Sequence, residues 1–195
     1  MRLPPLSFSV VGIDLTGTST RASSIAHILG RRAALHRVRE DRAVIEVVER
    51  CAPRVVAIDA PLTLPEKGVI RQVDRMMLQR GYRVLPPLIR SMQSLTLRGI
   101  RLKQQFQERG IEVIEVHPTS SAKALGARDK QTLLRRMLSG YELSTSWQSL
   151  SRDDLDALLA AITAAFYVRG EFEEVRAEDG VIVLPRPRWA RSLNT

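Results

Sequence analysis

Two patterns of apolar residues alternate along this chain. Short runs are hydrophobic at every position and suit strands buried on both faces. Longer stretches repeat apolar residues every three or four positions and suit helices. Residues 7–15, centred on Val10-Val11-Gly12-Ile13, predict a central strand. The turn Thr16-Gly17-Thr18-Ser19 ends it. Residues 21–29 and 33–39 predict two further strands around Gly30, close enough to pair antiparallel. Val44, Ile45, Val47 and Val48 mark a helix over 41–50, ended by Pro53. Val55-Val56-Ala57-Ile58 is a second two-sided strand, stopped by Asp59-Ala60-Pro61. A turn-rich loop to Gly68 leads to a helix over 70–79, an irregular stretch over 81–87, and a helix over 88–109 interrupted near Gly99. A strand over 111–116 ends at His117-Pro118, and short helices follow at 120–125 and 130–138. Leu155, Leu158, Leu159, Ile162 and Phe166 share one face of a strong helix over 151–168. Residues 181–184 predict a closing strand, and the basic, proline-containing tail at 185–195 predicts an exposed end. Three strands in a meander, then alternating helices and strands, predict an α/β domain over 1–195. Its mixed sheet should carry helices on both faces and right-handed parallel connections.

The chain has 195 residues, 44% hydrophobic and 26% charged, which suits a domain with a substantial core. The single cysteine, Cys51, excludes an internal disulfide framework or a cysteine-based metal site. No apolar run reaches membrane-spanning length. The apolar start of the chain runs into Asp14 without a cleavage pattern. A cytoplasmic protein with no membrane partner is expected. Charge adds more. The net +9 favours a polyanionic partner, nucleic acid first. Arginine's dominance among the cations equally suits a GC-rich or thermophilic source. Aromatics are only 5% and do not interleave with basic residues, so shape and backbone recognition is expected rather than base stacking.

Acidic residues recur at the ends of the most hydrophobic strands: Asp14 after Gly12-Ile13, Asp59 after Ala57-Ile58, and Glu115 within Val113-Ile114-Glu115-Val116. Burying one ionised is costly, and several together raise one another's pKa. A divalent cation between them removes both costs, and all-oxygen donors without a cysteine or histidine cluster point to Mg2+ or Mn2+. On the last helix, Ser151-Arg152-Asp153-Asp154 fits a capping box that gives Asp154 a structural task. Asp153 and Asp156 share one side of that helix. Each acid also has a plainer reading: a polar strand end for Asp14, a turn signal for Asp59, an arginine pair for Glu115, the helix dipole for Asp153. Asp156 is the hardest to explain that way, since it borders the buried face.

The segments Gly12-Ile13-Asp14-Leu15, Ala57-Ile58-Asp59-Ala60-Pro61, Glu115-Val116-His117-Pro118 and Asp153-Asp154-Leu155-Asp156-Ala157-Leu158 resemble the domain-of-unknown-function family 429. Arg71 to Arg75 and Met92 extend the resemblance, which runs in order from about Val10 to Phe166. Members of that family are regarded as predicted nucleases of the ribonuclease H-like fold. More distantly the layout resembles RuvC-type resolvases, which carry acids on the first strand, the fourth strand and a final helix. This chain departs from them in having aspartate on the fourth strand, where glutamate is usual, and in the added pair Glu115 and His117. The resemblance implies a three-layer fold with a mixed five-stranded sheet, in which Asp14 and Asp59 lie side by side and Asp156 comes over them. It further implies a two-metal phosphodiester hydrolase. Asp14 would bridge the ions, Asp59 and Asp156 would flank it, and Asp153 or Glu115 would complete the shell.

Arg71 and Arg75, one helical turn apart, are candidates to hold a phosphate, with pairing to Asp74 or Glu66 as the plainer reading. His117 is a candidate to orient a carboxylate or water, or simply a hydrogen-bonding strand end. Lys123 and Lys130 are further phosphate candidates on what otherwise reads as solvated surface. Gly12-Ile13-Asp14-Leu15-Thr16-Gly17-Thr18 also resembles the first phosphate loop of the actin, Hsp70 and sugar-kinase superfamily, so nucleotide binding is one alternative. A non-catalytic nucleic-acid-binding module is another.

Overall fold

The computed structural model describes residues 2–186; most of the basic tail expected at 185–195 lies outside the described residues. Strands β1 (Leu6–Asp14), β2 (Ser23–Gly30) and β3 (Arg32–Val38) form an antiparallel meander. Helix α1 (Asp41–Cys51) leads to β4 (Val55–Asp59), which pairs parallel with β1. Helices α2 (Gln72–Gln79) and α3 (Gln93–Glu108) precede β5 (Glu112–Glu115), parallel to β4. Then come α4 (Pro118–Ala124), α5 (Lys130–Met137), the two-residue β6 (Glu142–Leu143), α6 (Arg152–Val168) and a hairpin of β7 (Phe172–Ala177) and β8 (Gly180–Pro185). The main sheet runs β5-β4-β1-β2-β3-β6.

Five of these strands are those the sequence predicts. The sixth, β6, pairs through only two residues, too few to leave a hydrophobic pattern. The expected closing strand, β8, instead pairs with β7 in a separate two-stranded sheet and is bridged to the end of β5 from Val183 to Val116. Charges along β7 (Glu173, Glu174 and Arg176) hide its strand character. Helix α3 runs unbroken through Gly99. The missing side chain there is used for packing, since a Cβ would stand 3.1 Å from the Ala60 side chain and from the Pro61 carbonyl.

Alternation along the strands divides the core into two layers. Val10, Ala26, Ile28, Val55, Ala57 and Ile114 face α6, α4 and α5. Val11, Ile13, Ile25, Val56 and Ile58 face α1 and α3. The helix α6 is covered on all sides, so Ala157 to Phe166 are buried without exception rather than along one stripe. Its alanines bring it onto the sheet. At Gly12 the contact is backbone to backbone: a Cβ would lie 2.1 Å from the Ala161 amide nitrogen and 2.3 Å from the Ala157 carbonyl oxygen. This close approach carries the first turn of α6 towards the end of β1, where Asp14 stands.

Candidate functional site

In-register pairing of β1 with β4 makes Asp14 and Asp59 direct neighbours across the ladder. Strand spacing of about 4.8 Å separates their backbones. By the same alternation that sends Val10, Gly12, Val55 and Ala57 towards α6, both carboxylates leave the sheet on the α6 side. The charge of Asp156, one turn into that helix, is felt at both. Burial raises the Asp14 pKa to about 7, and the charges of Asp156 and Asp153 push the same way. Asp59 is raised well above the ordinary range, by burial first and then by Asp14 and Asp156. Asp156 is also raised by burial, against the opposing pull of Lys130, whose Nζ donates to Asp156 Oδ1 at 2.5 Å. Asp14 and Asp59 line a cleft of about 180 Å3 that Glu115, Arg71 and Asp74 also line, walled by Leu15, Val84, Leu85, Met92 and Leu95 and edged by His117.

Glu115 lines the same cleft and its charge adds to the raised pKa of Asp59, but its carboxylate is held by other partners. It pairs with Ile58 rather than Asp59, so it leaves the sheet on the opposite face. Arg71 holds it there through Nη2 to Oε1 at 2.5 Å and Nη1 to Oε2 at 2.8 Å, while the Leu62 amide donates to Oε2 at 2.7 Å. Arg71 also binds Asp74 through Nε at 3.0 Å and Nη2 at 2.8 Å. At 1% exposure Arg71 is inaccessible to a phosphate, and the arginine pairing that was its plainer reading is the one present. Burial works against its charge, but the bonds to Glu115 and Asp74 outweigh it and raise its pKa. Replacing Arg71 with Met leaves two buried carboxylates unpaired, and a loss of about 3–5 kcal/mol in urea-denaturation stability is expected.

The remaining candidates are dispersed. Asp153 sits at the start of α6, partly exposed, with Arg21 Nη2 at 3.4 Å. Arg75 is exposed on α2, in a groove with Glu66, Gln72 and Asp179 apart from the carboxylate cleft. Lys123 donates to the Gly81 carbonyl at 2.7 Å and stacks over Tyr82, tying α4 to the irregular stretch after α2. His117 caps the approach to α4, its Nδ1 2.7 Å from Ser120 Oγ; burial, with help from Lys130, pushes its pKa down to about 4 and keeps it neutral. Asp154 forms the expected capping box with Ser151. It also accepts from Ser24 and Arg37, which the sequence did not suggest. Burial alone would raise its pKa, but Arg37 and Ser151 hold it at about 2.

The turn after β1 is closed on itself. The Thr16 amide donates to Ser23 Oγ, Thr16 Oγ1 donates to the Thr18 and Arg21 carbonyls, and buried Arg98 donates to the Thr16 carbonyl. Among the described residues, no group of three histidine, cysteine or acidic side chains is drawn tightly enough together to form a ready-made metal centre.

The raised pKa of Asp14 has a stability consequence. Its folded pKa, about 7, lies above the unfolded value of 3.8, so the folded state holds the proton more tightly between those values. The contribution of Asp14 to stability is therefore present at low pH and declines as pH rises through that window. Compared with wild type, Asp14→Asn is expected to gain stability progressively from pH 4 to 8, on the order of 2–4 kcal/mol at the upper end. Comparing the two chains cancels the opposing contributions of the three histidines. A pH-independent difference in melting would contradict this.

A family model described as "Protein of unknown function (DUF429)" matches residues 12–180. Among solved structures, the chain is similar to "T. thermophilus RuvC in complex with Holliday junction substrate". The TM-score is 0.53 at 20% identity, covering 83% of this chain and 96% of that one. The likeness establishes a ribonuclease H-like fold. No curated protein matches the sequence. Among the described residues, no helix is long and apolar enough to cross a membrane.

Proposed function

The chain belongs to the DUF429 family, and from that premise and the geometry of the cleft we propose that it is a divalent-metal-dependent nuclease acting on phosphodiester bonds. One observation carries the reading: two carboxylates in register on neighbouring parallel strands, with the charge of a third, on α6, felt at both, each with its pKa raised by burial. A fold does not keep three such groups together for stability. The donor set fits Mg2+ or Mn2+, since all donors are hard oxygens and their mutual repulsion is what a dication offsets.

Asp14, Asp59 and Asp156 would hold the ion or ions, with Asp14 between the other two and Asp153 at the rim. Such an ion, when bound, acidifies a water and offsets the charge gathering on the phosphate oxygens. The chain supplies the rest. Apolar walls from Val84, Leu85, Met92 and Leu95 lower the local dielectric and strengthen every charge interaction within the cleft. The neutral His117 edges the cleft without adding charge. Glu115 and Arg71 fix the loop after β4, and with it the approach to Asp59, by pinning the Leu62 amide.

RuvC was captured with a Holliday junction, so branched DNA is the first substrate to test, beside RNA–DNA hybrid and single strands. After stripping with a chelator, the protein is expected to cleave at least one of these only when Mg2+ or Mn2+ is restored. The net +9 should also make binding fall steeply with salt. Absence of metal-dependent cleavage across the panel, or a flat salt response, would overturn the proposal.

A further inference from the structure

We propose that Lys130 is the resident counter-ion of the carboxylate cleft, and that a divalent cation binds there only by displacing its ammonium from Asp156. The inference rests on the metal-site reading above. Lys130 bonds Asp156 directly; among the described residues neither Asp14 nor Asp59 forms an ion pair of its own, though Arg21 adds its charge at Asp14. The side chains of Lys130 and Asp156 are 28% and 21% exposed, shielded enough for the pair to matter yet open to exchange. The charge of Lys130 is also felt at Asp14, Asp59 and His117.

Its position in the chain supports the same role. Lys130 is the first residue of α5, just after the Asp129 cap, whose carboxylate accepts from the Thr132 amide at 2.6 Å. A cation there opposes the helix dipole, so α5 by itself gives no reason for a lysine. The cleft gives one. Leu133, Leu134 and Met137 anchor the helix in the core, while the flexible four-carbon stem of Lys130 lets its ammonium swing without moving the backbone.

The test is calorimetric titration of Mn2+ into the metal-free wild type, Lys130→Gln, Lys130→Arg and Asp14→Asn, with circular dichroism to check folding. Lys130→Gln is expected to bind Mn2+ about tenfold more tightly or better, because a competing positive charge has gone. Lys130→Arg keeps the charge and should stay near wild type. Asp14→Asn should lose the binding. Equal affinity in wild type and Lys130→Gln, or weaker affinity in Lys130→Gln, overturns the counter-ion role while leaving the metal site standing. Mn2+ binding absent from both wild type and Lys130→Gln, or retained in Asp14→Asn, overturns the metal-site reading itself.

Discussion

Asp14→Asn is expected to fold as the wild type does and to lose metal-dependent cleavage by about a thousandfold or more. The replacement keeps the shape of the side chain and removes its charge. Asp14 is the partner of Asp59 across the ladder, and Asp156 is the first of the charges that raise its pKa. Losing the central carboxylate would therefore weaken every ligand contact at once. The same substitution relieves repulsion in the metal-free protein, so the variant should be more stable than wild type at pH 8. Activity and stability would then move in opposite directions, the behaviour of a group kept for chemistry at a cost to the fold. Initial rates on the best substrate, with melting curves on the same preparations, check both halves. Wild-type cleavage by Asp14→Asn would remove Asp14 from the site.

Gly12→Ala is expected to lose about 3 kcal/mol or more in urea denaturation, or to fail to fold. A single methyl has this effect because its neighbours are all backbone: the Ala161 amide nitrogen at 2.1 Å, the Ala157 carbonyl oxygen at 2.3 Å and the Ala160 carbonyl carbon at 2.8 Å. Backbone of a helix buried on all sides has no rotamer by which to escape. Either α6 lifts from β1, or β1 bends away from β4. Both movements separate Asp156 from Asp14, so any folded fraction should also bind Mn2+ more weakly. A stability change within about 0.5 kcal/mol of wild type would show that α6 has room the structure does not display.

Much of this architecture can be read from sequence because its strands are buried on both sides. Val10-Val11-Gly12-Ile13 and Val55-Val56-Ala57-Ile58 have no polar face to confuse the pattern, and the acids that end them stand out against it. The hairpin of β7 and β8 was obscured by the charges of β7, and β6 by its two-residue length. Alternation also held information about Glu115. Ile114 and Val116 pack on the α6 side, which turns Glu115 to the other face of the strand, where Arg71 holds it at the edge of the cleft. That inference needs the register between β4 and β5, which neither strand states alone. Arg71 shows a different limit. A helix-start arginine beside an aspartate reads equally as a phosphate ligand or an internal pair, and only its burial beside Glu115 decides. For Lys130 the available signal was its misplaced charge at the start of α5, which points to a distant partner without naming Asp156.

The central claim is that acids from β1, β4 and α6 share divalent ions in one cleft. A crystal structure of the full chain grown with Mn2+ tests it most directly, because manganese is located by its anomalous scattering. The expected result is manganese within coordination distance of Asp14, Asp59 and Asp156, with Lys130 turned away from Asp156. Manganese bound elsewhere, or a cleft in which Lys130 still holds Asp156 at saturating Mn2+, would contradict the account.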